Sequence, residues 1–265
     1  MHWFTSKLVE PIYRLVYGAP LDEPNARSTQ GREGDIRNQR GLVLVADGVG
    51  GLDLCGTALR YVLGAERLPY AVQLFPWGHG LGRWFADLTN AANRDAKARL
   101  IADIVERHQT DWPGDPVFLV AKSGGSGVVV KALELLDEAM VERVVLLAPA
   151  LSPAYDLTRA LRAVRREIVV FWSPLDVIIL GAGTRLFGTA DRVKSVSAGL
   201  VGFQVPPRGE LDLAKRHSYG KLRQVRWRPR MATTGYFGGH VGPDSPMFLR
   251  KYVVPLLRVE EIAHC

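Results

Sequence analysis

The 265-residue sequence has only two cysteines, Cys55 and Cys265, and no long uninterrupted apolar run. Two cysteines cannot build the disulfide framework of a small secreted protein. A membrane-spanning helix needs about 18 or more consecutive apolar residues, a length that no segment approaches. Internal repeats and low-complexity blocks are also missing. These absences argue against a disulfide-stapled protein, an integral membrane protein and a repeat protein.

What is present is an ordinary globular composition, with 47% hydrophobic and 23% charged residues, which predicts one large domain. The net charge of +7 could attract nucleic acid, but zinc-finger spacings, aromatic RNA-binding signatures and helix-turn-helix patterns are absent. Arg226, Arg228 and Arg230 alternate with other residues, which predicts a solvated strand face near a sheet edge. We therefore expect no nucleic-acid partner.

The N-terminal residues do not form a signal peptide, because Lys7, Glu10 and Pro11 interrupt every apolar stretch. The default compartment is therefore the cytoplasm. An apolar stripe at helical spacing predicts a helix packed on the domain or, alternatively, an interfacial anchor in weak contact with a membrane surface. The stripe consists of Trp3, Phe4, Leu8, Ile12, Leu15 and Val16. Residues 18–40 are polar and turn-rich, so we predict an N-terminal helical and linker segment over 1–40 and a main domain over 41–265.

Along the main domain, apolar segments alternate with glycine-rich turns and helical patterns. The predicted strands are Gly41–Ala46, Tyr70–Phe75, Pro116–Ala121, Arg143–Leu147, Glu167–Trp172 and a segment near Leu222–Thr233. The predicted helices are Cys55–Gly64, a segment around Asn90–His108, Val128–Met140, a segment near Leu157–Arg165, and Pro246–Leu257. Continuously apolar strands that alternate with helices indicate an α/β protein with a mostly parallel sheet. Such sheets carry their chemistry at the carboxyl ends of the strands.

The turn AKSGGSG after the third strand is the strongest chemical signal. A nucleophilic serine on a sharp strand-to-helix turn needs small residues two positions before and after it. Ala121 and Gly125 meet this requirement around Ser123, whereas Ser126 would have Val128 at its second small position. The alternatives are a phosphate-binding loop, which lacks the necessary glycines before Lys122, and a plain tight turn.

A serine nucleophile needs a base, and the base needs an orienting acid. Asp176 directly follows the fifth strand and is the predicted acid, with Asp156 in reserve. His240 lies in the glycine-rich loop GYFGGHVGPDSP and is the predicted base, while His79 is the other histidine of interest.

The order Ser123, Asp176, His240 resembles that of the α/β-hydrolases, from about Gly41 to Leu257. The turn DGVGG is similar to the HGxGG oxyanion turn of that superfamily, with Asp47 in place of histidine. The resemblance implies a parallel sheet flanked by helices, with little or no cap domain. It also implies an oxyanion hole formed by the N–H groups of Val49 and Gly124, and no cofactor or metal.

The resemblance implies a serine hydrolase acting on small-molecule carboxylic esters or lipids, of the esterase or lipase type. An acyltransferase or thioesterase with the same residues is an alternative, as is a catalytically silent binding protein on the same fold. The segment Val177–Lys221 is predicted to be mostly irregular. Its apolar residues either line an acyl groove, act as a small lid, or fill the core beneath a long loop.

Overall fold

The computed structural model describes residues 11–17, 40–80, 82–177, 189–191, 193, 196–207 and 212–259. The strands are β1 (Leu42–Ala46), β2 (Ala71–Leu74), β3 (Val117–Lys122), β4 (Val141–Leu147), β5 (Val164–Trp172) and β6 (Leu222–Arg226). The α-helices are α1 (Leu54–Ala65), α2 (Trp84–Thr89), α3 (Ala91–Asp111), α4 (Gly125–Leu133), α5 (Thr158–Arg162), α6 (Ala198–Val201), α7 (Leu213–Gly220) and α8 (Pro246–Phe248). Short 3₁₀ segments cover Pro229–Thr234, Gly242–Asp244 and Val254–Leu257, and Leu249–Val253 forms a π-helical turn.

The six strands form one parallel sheet in the order β2-β1-β3-β4-β5-β6. Successive side chains point to opposite faces, so Leu44 lies in one hydrophobic core while Val43 and Val45 lie in the other. Because a core covers each face, the strands are apolar along their length rather than alternating. The predicted α/β class with a parallel sheet is confirmed.

The strand register places the turns after β1, β3, β4 and β5 next to one another, at the carboxyl ends of the strands. Ala46 pairs with Ala121, Lys122 pairs with Leu147, and Leu147 pairs with Phe171. The turns after β1, β3, β4 and β5 therefore begin side by side. Residues 148–163, between β4 and β5, form only α5, so no cap domain enters there.

Several predicted boundaries were wrong because local backbone geometry ends the elements early. The helix after β3 ends at Leu133 rather than Met140, since the backbone changes there to hydrogen bonds between residues three apart: Leu135 N–H donates to Ala132 O, and Leu136 N–H donates to Leu133 O. Val164 already belongs to β5, which leaves α5 shorter than predicted. β6 is an edge strand, but it ends at Arg226.

The segment after β5 is more regular than predicted, since it contains α6 and α7. Its residues Leu200 and Phe203 are buried, as in the core-filling alternative. Leu186 and Phe187 lie outside the described residues, so the question of a lid stays open.

Of the predicted N-terminal segment, the structure describes residue 40 and the helical residues 11–17. Tyr13 packs edge-on against Tyr61 of α1, with ring centroids 5.7 Å apart, while Ile12, Leu15 and Val16 are exposed. Trp3, Phe4 and Leu8 lie outside the described residues, so the anchor and the boundary at residue 40 stay predictions. Within the described ranges, no helix combines the length and the apolar character needed to cross a membrane.

We expect Gly125→Ala to lower the free energy of unfolding by about 3 kcal/mol or to prevent folding, because overpacking against rigid backbone is costly. A Cβ atom at Gly125 would lie 2.3 Å from Ala46 O and 2.5 Å from Asp47 O. Gly220→Ala is the matched control, because a Cβ at this helical position meets nothing within 4 Å. Urea denaturation measures both variants. Equal stability of the two would contradict the steric argument.

Candidate active site

The turn between β3 and α4, residues 121–125, has the sharp geometry expected of a nucleophile elbow, and we call it the elbow. Ser123 has a φ of 49°, in the left-handed region that residues other than glycine rarely adopt. Two backbone hydrogen bonds hold this conformation: Ser123 N–H donates to Leu147 O over 3.0 Å, and Ala150 N–H donates to Ser123 O over 3.1 Å. The serine is therefore fixed by the end of β4 and the turn that follows it.

The small residues around Ser123 are required by its neighbours. Ala121 is fully buried in the sheet between β1 and β4. A Cβ atom at Gly124 would lie 2.7 Å from Val49 Cγ1 and 3.3 Å from the ring of Trp77. The elbow is therefore packed directly against the turn that follows β1.

Ser123, His240 and Asp176 form a continuous hydrogen-bonded chain. His240 Nε2 lies 3.0 Å from Ser123 Oγ, and His240 Nδ1 lies 2.7 Å from Asp176 Oδ2. The side chain of Asp176 is 3% exposed, so water screens its charge only weakly. The arrangement is chemically able to pass a proton from a serine hydroxyl to an imidazole that a carboxylate orients.

The alternative nucleophile, Ser126, and the alternative acid, Asp156, have surroundings different from those of Ser123 and Asp176. Ser126 is fully buried, and its hydroxyl has no hydrogen-bond partner among the described residues. Asp156 accepts hydrogen bonds from the Thr158 hydroxyl and backbone N–H, which lower the pKa of its carboxyl group, and from the Tyr219 hydroxyl. The structure therefore brings Ser123 and Asp176, rather than these residues, to His240.

The turn after β1, residues 47–51, lies beside the elbow, and we call it the oxyanion turn. Asp47 accepts hydrogen bonds from Gly48 N–H over 2.8 Å and Gly56 N–H over 2.9 Å. Within the described parts of the chain, neither Val49 N–H nor Gly124 N–H has a hydrogen-bond acceptor. These are the two donors that the sequence predicts for an oxyanion hole.

Sequence reasoning missed Asp87, which is buried on α2 and holds the oxyanion turn. Its Oδ2 accepts a hydrogen bond from Gly50 N–H over 2.9 Å. Its Oδ1 accepts one from His79 N–H and lies 2.9 Å from His79 Nδ1, and Asn90 Nδ2 lies 3.2 Å from His79 Nε2. His79 therefore belongs to the support of this turn rather than to the Ser123 site. The signal in the sequence was a lone acidic residue within the apolar segment WFADL.

A buried ion pair, also missed, lies beneath the site. Lys122 Nζ donates a hydrogen bond to Asp244 Oδ2, and both residues are less than 9% exposed. Burial raises the pKa of Asp244 to about 6, and Asp47 adds to this while Lys122 opposes it. Burial lowers the pKa of Lys122, but Asp244 and Asp47 outweigh it and raise the pKa overall. Both directions follow from a cluster with two carboxyl groups and one ammonium group.

The described residues contain no group of three or more His, Cys, Asp or Glu side chains suited to a metal ion.

Comparison with known proteins gives one family match. The family model described as serine aminopeptidase, S33, matches residues 76–197. No curated protein matches the chain at a significant level.

Three solved structures illustrate the likeness. A protein from Xanthomonas campestris described as a hydrolase of the alpha/beta superfamily is 20% identical, with 79% of this chain and 96% of that chain covered and a TM-score of 0.41. A cutinase-like protein from Cryptococcus sp. is 13% identical, with 82% and 95% covered and a TM-score of 0.45. A poly(3-hydroxybutyrate) depolymerase from Bordetella parapertussis is 13% identical, with 85% and 82% covered and a TM-score of 0.46.

The parallel sheet, the helices on both of its faces and the family match agree with the resemblance seen in the sequence. The chain has the α/β-hydrolase fold and, over residues 76–197, is similar to the serine aminopeptidase S33 family.

Proposed function

We propose that the protein is a serine hydrolase that cleaves carboxylic esters or lipids through an acyl-enzyme. The observation that carries the proposal is the unbroken hydrogen-bonded chain from Ser123 through His240 to Asp176, on a serine with a strained backbone. Strain of this kind is costly and persists where function requires it.

The proposed reaction uses each group in a distinct role. Ser123 Oγ attacks the acyl carbonyl carbon while His240 Nε2 accepts the serine proton, which it then gives to the leaving alcohol oxygen. Asp176 orients the imidazole and stabilises its charged form. The N–H groups of Val49 and Gly124 donate hydrogen bonds to the carbonyl oxygen as it becomes negative, and each such donor contributes about 3–4 kcal/mol. Water then attacks the acyl-enzyme by the same steps and releases the acid.

Exposed apolar side chains support a substrate with an apolar acyl group. Leu175 and Val177 flank Asp176, and Phe237 and Val241 lie close to His240 in the chain. Leu52 directly follows the oxyanion turn, whose Gly50 adjoins Trp84. These residues are between 44% and 74% exposed. The set, which we call the apolar rim, consists of Leu52, Trp84, Leu175, Val177, Phe237 and Val241.

Ser123, and not Ser126, is expected to be the nucleophile. Ser123→Ala should abolish covalent labelling by a fluorophosphonate probe, whereas Ser126→Ala should retain labelling with at most a modest loss of rate. Because alanine keeps the Cβ atom and the backbone hydrogen bonds of the turn, Ser123→Ala should be about as stable as the wild type. Mass spectrometry of the labelled peptide identifies the modified residue. An adduct on Ser126, or none on the folded wild type, would defeat the assignment.

Asp176→Asn should reduce turnover of a p-nitrophenyl ester by about 10⁴-fold while the protein stays folded, because an asparagine does not orient or stabilise the imidazolium. Asp156→Asn is the matched control, since Asp156 bonds to Thr158 and Tyr219 rather than to His240. Steady-state kinetics and thermal unfolding should be measured for both. A severe loss in Asp156→Asn with normal turnover in Asp176→Asn would reverse the choice of acid.

The apolar rim predicts that kcat/KM rises with acyl chain length from acetyl to octanoyl esters. Leu175→Ser combined with Phe237→Ser should lower the octanoyl value by about tenfold and leave the acetyl value nearly unchanged, since each buried CH₂ contributes about 0.8 kcal/mol. Leu135→Ser is the control, because Leu135 is similarly exposed but lies after the C-terminal end of α4, toward the amino ends of the strands. A rate that falls with chain length, or an equal loss in the control, would exclude this role for the rim.

The same ester panel with added alcohols distinguishes hydrolysis from acyl transfer. A hydrolase should give the free acid as its main product at millimolar alcohol. Ester exchange as the main product would favour the acyltransferase alternative, and a wild type that is neither labelled nor active would favour the silent binding protein.

A further inference from the structure

One buried cation lies among the three segments that carry the proposed chemistry. Lys122 is 7% exposed and immediately precedes Ser123 in the elbow. It donates a hydrogen bond to Asp244, which is 8% exposed and follows His240 by four residues. Asp47, which is 5% exposed, begins the oxyanion turn and interacts electrostatically with Lys122. The lysine therefore faces a carboxyl group from each of the other two segments.

The two carboxyl partners of Lys122 are not equivalent. Asp47 already accepts hydrogen bonds from two backbone N–H groups, so it acts on Lys122 through its charge. Asp244 contacts Lys122 directly, and its other oxygen, Oδ1, is buried without a partner among the described residues. The Lys122–Asp244 contact thus adds a second polar link between the elbow and the segment that carries His240, besides the Ser123–His240 hydrogen bond.

We propose that Lys122 and Asp244 are positioning residues for the hydrolase reaction: their contact sets the position of His240 relative to Ser123. This inference rests on the proposed function. A buried ion pair is weak evidence of stability, because apolar residues of similar volume often replace one without loss. The Lys122–Asp244 contact is therefore better explained by the relative position that it gives to the two segments than by a contribution to the free energy of folding.

The charges around His240 and Asp244 come from several elements. Asp176 bonds His240 directly, and Asp244 interacts with it through space. Lys122 and Asp47 face Asp244, as do Tyr13 of the helical residues 11–17 and Cys55 of α1. Burial raises the pKa of both Tyr13 and Cys55, so these two groups carry little charge near neutral pH. Among these groups, Lys122 is the one that hydrogen-bonds to Asp244.

The test is the double variant Lys122→Met/Asp244→Leu, which replaces the pair by apolar side chains. We expect it to unfold at a temperature close to that of the wild type, but to react with a fluorophosphonate probe about tenfold more slowly. Steady-state kinetics with a p-nitrophenyl ester should show the loss in kcat with KM nearly unchanged, because a displaced imidazole slows proton transfer without weakening substrate binding. The single variant Asp244→Asn, which weakens the contact with Lys122, should lower kcat in the same way but by less.

The matched control applies the same changes to an exposed pair, Lys131→Met/Asp95→Leu. Lys131 and Asp95 join α4 to α3, with 2.9 Å between Nζ and Oδ1. The control should keep both the labelling rate and kcat. If the Lys122→Met/Asp244→Leu variant is folded and also keeps both, or if it fails to fold while Asp244→Asn folds with an unchanged kcat, the positioning proposal is wrong while the proposed function stands. A wild type that the probe does not label would end both.

Discussion

The close approach of the Gly125 backbone to the end of β1 is the contact on which the candidate site depends. The carbonyl oxygens of Ala46 and Asp47 leave no space for a side chain there. Because the oxyanion turn begins at Asp47, one contact fixes both the start of that turn and the first residue of α4. The serine between β3 and α4 is thereby held against the oxyanion turn, where a Cβ atom at Gly48 would lie 3.6 Å from Ser123 Cβ. A shift of the oxyanion turn would therefore also move the start of α4.

Three buried carboxyl groups around this contact have separate partners. Asp176 bonds to His240, Asp87 bonds to Gly50 and His79, and Asp47 bonds to Gly48 and Gly56. An unpaired buried carboxylate is costly, and nearly every oxygen in this group is matched to a donor. A fourth carboxyl group, Asp244, differs from these three: it contacts Lys122, but its Oδ1 is buried without a partner among the described residues. The site therefore combines three hydrogen-bonded carboxyl groups with one carboxyl group that has a buried oxygen without a donor.

Sequence reasoning was informative for features that depend on residues close together in the chain. Continuous apolar segments revealed the strands, and the turns after β3 and β5 marked Ser123 and Asp176, since parallel strands end at one edge. Asp87 and the Lys122–Asp244 pair could not be predicted in this way. Their roles depend on contacts with partners 37 and 122 residues away, and nothing in the local spacing specifies such a partner. The end of α4 was misjudged because apolar residues continue beyond Leu133, while the backbone there changes to hydrogen bonds between residues three apart.

The order of the strands also has a consequence for when the site can form. Ser123 and His240 are separated by 117 residues, and β4, β5 and β6 pair in turn before the chain reaches the histidine. Contacts this distant in sequence are entropically expensive until the intervening chain is ordered. During synthesis, the elbow can be complete while its base has not yet left the ribosome. A partly folded chain would therefore present a strained serine without its base. The hydrogen-bonded chain of Ser123, His240 and Asp176 would form last, when the C-terminal segment packs.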